Sequence, residues 1–195
     1  MGVPLKIVKP QAKIILADPN TDAGAMERLF LLEAYTPAYV GIYNATQNLV
    51  AMRLMRQTIE NRLKAPGRYM ARGATTETDI IELGNQFAGF GTYPNLDPGM
   101  TLRLQDILKI ANNPTHPMQA AFAQFVNDAI TAATEPTTPA VAKYPNVTAW
   151  RTKNSGSPGP DFQMLITLSG NTFYATIPVQ RMPHKNAKHS NKKNH

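Results

Sequence analysis

Beyond a short N-terminal arm, apolar residues change their period once along this chain, at Glu135-Pro136-Thr137-Thr138-Pro139. Before that stretch they recur three or four residues apart, the spacing that lines one face of a helix. After it they alternate with polar residues, as in a strand with one buried face. The break itself is stiff and linker-like. Helices first and strands afterwards predict an α+β fold: a helical body of about four helices, a C-terminal antiparallel β meander and extended terminal arms. The expected boundaries are an N-terminal β arm over 1–20, the helical body over 21–135, the meander over 136–182 and a disordered basic tail over 183–195.

Within the arm, residues 5–8 and 13–17 read as short β segments separated by Pro10, which cannot donate to a ladder. Asp18-Pro19-Asn20 is turn chemistry, and a helix begins near Thr21 or Asp22. Pro37 interrupts it and suits the first position of the next helix behind a Thr36 cap. Leu49, Met52, Met55, Ile59 and Leu63 place the secure part of the longest helix over 45–64, stopped by Ala65-Pro66-Gly67. The Met stripe reads as core in preference to an adaptable binding surface. Thr76 with Asp79 is a weaker form of the capping box, opening a short helix. The stretch from Gly89 to Gly99 reads as loop and turn. Leu102, Leu104, Ile107, Leu108 and Ala111 then mark a helix ended by Asn112-Asn113-Pro114, and Pro117 opens the last, with Phe122, Phe125, Val126 and Ala129 in its stripe.

Strands are expected over 147–153, 161–169 and 172–178, the last two joined by a Ser169-Gly170-Asn171 hairpin turn. Three strands need a helix or another subunit over their apolar face.

Charge is uneven. The chain carries 20 Lys and Arg against 13 Asp and Glu, a formal +7, and no acid follows Asp161. The tail from Pro183 holds Lys185, Lys188, Lys192 and Lys193; without it the formal charge falls to +3. A second centre comprises Arg53, Arg56, Arg62, Lys64, Arg68 and Arg72, opposed only by Glu60, a local +5. These ten residues are the expected polyanion-binding set: a net positive chain attracts nucleic acid and acidic protein faces alike. The tail has no aromatic residue to stack on bases, so contact with a phosphate backbone fits it better than base readout.

Several chemistries lack their motifs. With no Cys, a Cys-ligated zinc finger, a disulfide scaffold and a thiol enzyme are excluded. There is no nucleophile elbow, phosphate loop, His-Glu-x-x-His helix or calcium loop. Gly84, Gly89 and Gly91 miss the dinucleotide fingerprint. His116 sits at a helix start without an acidic orienter, and Glu77, Asp79 and Glu82 suit a helix N-terminus. Tail histidines among lysines disfavour a cation site. No catalytic, cofactor or metal residue is assigned, and no cofactor is expected. No run approaches ~20 apolar residues, and the first residues do not make a signal peptide.

The expectation is a non-enzymatic structural or assembly protein: an oligomerising virion (phage-type) subunit with basic contacts to a polyanion. Its partners would be copies of itself or other structural subunits, and its place the virion or the cytoplasm. The alternative is a nucleic-acid-binding accessory protein working through electrostatic backbone contacts.

Overall fold

A computed structural model describes residues 12–69, 71–84, 86–135 and 138–177. The expected strand at 5–8 and the tail with Lys185, Lys188, Lys192 and Lys193 lie outside these residues. The fold is α+β, with helices first and a three-stranded antiparallel sheet at the C-terminal end.

Helix α1 (Asp22–Glu33) starts where the Thr21 hydroxyl accepts the Gly24 N–H at 3.1 Å. Gly24 is obligatory, because a Cβ there would stand 2.0 Å from the Asp18 carbonyl oxygen. Leu29, Phe30, Leu31 and Leu32 are all buried, so α1 is covered on nearly every side and is the central rod of the molecule. It packs on α3, α4 and α5.

Residues 35–43 form turns, not the helix that Pro37 suggested. Helix α2 (Ala45–Lys64) begins instead at Asn44, whose Oδ1 accepts the N–H groups of Thr46 and Gln47. Met52, Leu54, Met55 and Ile59 are fully buried, so the Met stripe is core. The capping box forms at α3 (Glu77–Glu82), with Asp79 bonded back to the Thr76 N–H.

Helix α4 (Pro98–Ala111) starts earlier than its apolar pattern indicates. Asp97 Oδ1 accepts the Met100 N–H at 2.8 Å and Pro98 occupies the first turn, a start signal inside what reads as loop. Helix α5 (Gln119–Thr134) buries Phe122, Phe125, Val126 and Ala129, and a further turn of helix, α6 (Pro139–Ala142), follows the linker stretch, within the range expected for the meander, with Val141 buried.

The sheet comprises β1 (Val147–Thr152), β2 (Phe162–Leu168) and β3 (Asn171–Thr176), in the order β1-β3-β2. A meander would place β2 in the middle; the central strand is β3. The loop after β1 steps over the end of the β2–β3 hairpin, with the Lys153 N–H on the Gly170 carbonyl at 2.7 Å, so β2 is delivered to the far side. Ser169 and Gly170 both have positive φ, as a two-residue hairpin turn requires.

Among the described residues, 13–17 pair with no strand. Two side chains take a neighbouring strand's place: the Asn112 amide bonds both the N–H and the carbonyl of Ile14, and Glu27 accepts the Ala17 N–H. Helices and sheet share one core, in which Phe87 stacks on Trp150 at 5.1 Å and Phe173 is fully buried. Among the described residues no helix is long and apolar enough to cross a membrane.

Candidate functional site

The arginines of α2 go to separate destinations inside the fold. Arg53 is mostly covered, its side chain 12% exposed, and its Nη2 lies 2.5 Å from Glu135 Oε2. Arg56 donates from Nε to Glu60 at 2.8 Å, and from Nη1 to the carbonyls of Ala132 (3.3 Å) and Glu135 (2.6 Å). It thereby caps the C-terminal end of α5, where the helix dipole favours a cation. Arg62 donates from Nε to the Thr148 carbonyl at 2.9 Å and from Nη1 to Gln86 at 2.6 Å, with its guanidinium 5.6 Å over the Phe87 ring.

These three residues fasten α2 to α5 and to the sheet, so they do not present the solvent-facing row that their helical spacing suggests. Lys64 and Arg72 are exposed. Arg68 lies in a 3-10 turn, and its side chain, like the tail lysines, is outside the described residues. Of the basic set, Arg53, Arg56 and Arg62 are therefore engaged within the fold, and Lys64 and Arg72 are the exposed ones among the described residues.

The other residues singled out by sequence have local work. His116 Nδ1 accepts the Met118 N–H at 3.1 Å in the turn before α5. The backbone N–H groups of Thr75 and Thr76 hold the Asp79 carboxyl below its usual range.

Several buried polar groups have no sequence signature. Asp22 accepts from the Thr78 N–H and hydroxyl at 2.9 and 2.6 Å, joining the N-terminal turns of α1 and α3. Burial opposes ionisation of Asp22, but hydrogen bonds from Thr78 and Glu77 outweigh it and keep the carboxyl low. Burial, and then Asp22 itself, push Glu77 up. Burial raises Glu33, partly offset by the Trp150 Nε1–H donated at 3.3 Å.

Between α2 and α5, Asp128 accepts from Asn48 Nδ2 at 3.0 Å and from Gln124 Nε2 at 2.7 Å. The nearby Tyr43 hydroxyl is pushed up to about 12 by burial and then by Asp128. These contacts bind helices to one another, and among the described residues no group of three His, Asp or Glu is placed to hold a metal.

Open hollows mark the surface. One of about 640 Å³ runs between residues 13–16 and α4, lined by Ile14, Ile15, Leu16, Leu104 and Leu108 with Lys13 and Lys109 at its rim. Another of about 280 Å³ lies where the 41–44 turn meets the hairpin tip, lined by Ile42, Tyr43, Lys153, Thr167 and Ser169. Beside it the turn exposes Tyr39, Val40 and Ile42 together, Val40 being 92% exposed. That turn is held firmly: Tyr35 and Tyr39 meet edge to face at 5.2 Å. Tyr35 and Ile42 also pack so closely on Gly170 that a Cβ there would stand 2.4 Å from the Tyr35 ring.

No family model, curated protein or solved structure matches this chain.

Proposed function

We propose that the protein is a non-enzymatic structural or assembly subunit, oligomerising within a virion-type particle. The observation that carries this reading is the apolar turn at 39–42. Val40 stands in solvent at 92% exposure, with about half of Tyr39 and Ile42 exposed beside it, on a segment braced against the sheet; a neighbour that buried Val40 would gain about 1.5–3 kcal/mol, with less from the other two. The apolar hollow along α4 and the exposed Ile15 support the same reading on another face.

Contact with a polyanion rests on the net +7 charge and falls to Lys64, Arg72 and the tail lysines, since Arg53, Arg56 and Arg62 are spoken for. An accessory nucleic-acid binder is the weaker alternative for that reason. Substitution Val40→Asp tests the assembly reading. Sedimentation should show weaker self-association than the parent chain with an unchanged melting temperature; equal association in both would remove the turn from any interface.

A further inference from the structure

The two edges of the sheet are treated differently. On β1, Asn61 Nδ2 donates to the Val147 carbonyl at 2.7 Å and Arg62 Nε to the Thr148 carbonyl at 2.9 Å, so α2 covers that edge with side-chain donors. On β2, among the described residues, no side chain caps the outer backbone. Residues 162–168 (Phe-Gln-Met-Leu-Ile-Thr-Leu) contain no charge, Pro or Gly, three of the devices that ordinarily blunt an edge. Met164, in the middle, is 63% exposed.

The direction of the free groups follows from the ladder. The Ile177 N–H donates to the Asp161 carbonyl at 2.8 Å, so residues 161 and 163 face β3 and residue 164 faces outward. At the other end Thr167 and Thr172 form a side-chain pair at 2.9 Å, as expected of a pair not bonded through its backbone, so Thr167 also faces outward. Between them the register slips by one residue at Leu165. The outward groups are therefore spaced by three residues instead of two.

We propose that the outer edge of β2 pairs antiparallel with β2 of a second copy of this chain, about a two-fold axis between Leu165 and Ile166. The inference rests on the assembly reading above and deepens it by naming the contact. The bulge selects the occupant. A regular strand laid along this edge stays in step through Phe162 and Met164 and falls out at the bulge, whereas an inverted copy carries the same irregularity at the same point. Met164 then exchanges both backbone bonds with Thr167 of the other copy, and Thr167 with its Met164, which makes the interface self-complementary and the sheet six-stranded.

Charge agrees with the pairing. In this register Asp161 of each copy lies beyond the hairpin tip of the other, at the end of the sheet where the Lys153 backbone is bonded to Gly170 and Lys153 lines the hollow with Thr167 and Ser169. The axis brings these opposite charges to the same end of the sheet twice. An unrelated strand offers no such match.

Sedimentation equilibrium of the full chain and its variants tests this. M164K with T167K sets like charges opposite each other at both pairs and should weaken the dimer about tenfold or more, with the melting temperature unchanged. M164E with T167K sets opposite charges there and should keep the dimer. Because the chain has no cysteine, M164C with T167C adds an independent reading: glutathione disulfide should produce a covalent dimer from the double variant and none from T167C alone. The two positions within one strand lie too far apart to bridge each other.

If the parent chain associates but the lysine pair leaves it unchanged and no cross-link forms, the edge pairing is wrong and the assembly reading stands. A parent chain that never associates removes both.

Discussion

At the scale of single residues, the arginines of α2 decide most. Each has a bond to atoms 76 to 86 positions away, and Arg56 satisfies carbonyls that a helix end otherwise leaves open. Replacing Arg56 by Ala should cost about 1.5–3 kcal/mol, the range for hydrogen bonds to a charged group, and lower the melting temperature by several degrees. Arg53→Glu should also destabilise, by setting a second carboxylate against Glu135. Unchanged melting in both would mean that these side chains are free in solution.

Glu33 gives the pH signature. Burial raises its pKa, so the folded chain takes up the proton at higher pH than the unfolded chain. The cost of keeping it ionised is present above the folded pKa and vanishes as pH falls through that value. Glu33→Gln keeps an acceptor for the Trp150 N–H. It should raise the melting temperature at pH 7, with the gain gone below about pH 4, where the parent carboxyl is protonated in both states. A lower melting temperature at pH 7 would reverse the sign of the argument.

At the scale of elements, α2 shows what a sequence can state: the stripe from Leu49 to Leu63 and the Ala65-Pro66-Gly67 stop define its secure part, whereas Pro37 suggests an earlier start than the Asn44 cap. The capping box and the Ser169-Gly170 turn are legible for the same reason, because their physics is contained within a few residues. The start of α4 was written as Asp97-Pro98 but masked by the Gly and Pro around it. The strand order was not legible, since whether β1 lies beside β2 or β3 depends on where the 153–161 loop crosses. Nor was the internal use of Arg53 and Arg62, whose partners stand 82 and 86 positions away. The hollow beside the hairpin tip is assembled from three segments, and no local pattern announces it.

Glycines test the element joins. Gly24→Ala should destabilise by more than about 1–3 kcal/mol, because a Cβ meets backbone there and not a movable side chain. Gly67→Ala, which meets nothing within 4 Å, should change little. Similar melting temperatures for the two variants would contradict the close approach of α1 to Asp18.

For the whole molecule, the pattern is a well-fastened interior with unfinished outer surfaces. Partly buried arginines and polar pairs tie helix to helix, while Val40, Ile15 and Met164 and the outer edge of β2 are left without partners among the described residues. Deleting residues 183–195 removes four lysines and should flatten the salt dependence of any polyanion binding. An unchanged salt slope would move that contact to Lys64 and Arg72.

Hydrogen exchange of the full chain at about 1 and about 100 µM is the most direct test of the central claim, since association protects only the amides it covers. The amides of Met164 and Thr167 and those of residues 39–42 should exchange more slowly at the higher concentration, while the remaining surface is unaffected. Identical exchange at both concentrations, with Met164 and Thr167 as open as any exposed loop, would contradict the account.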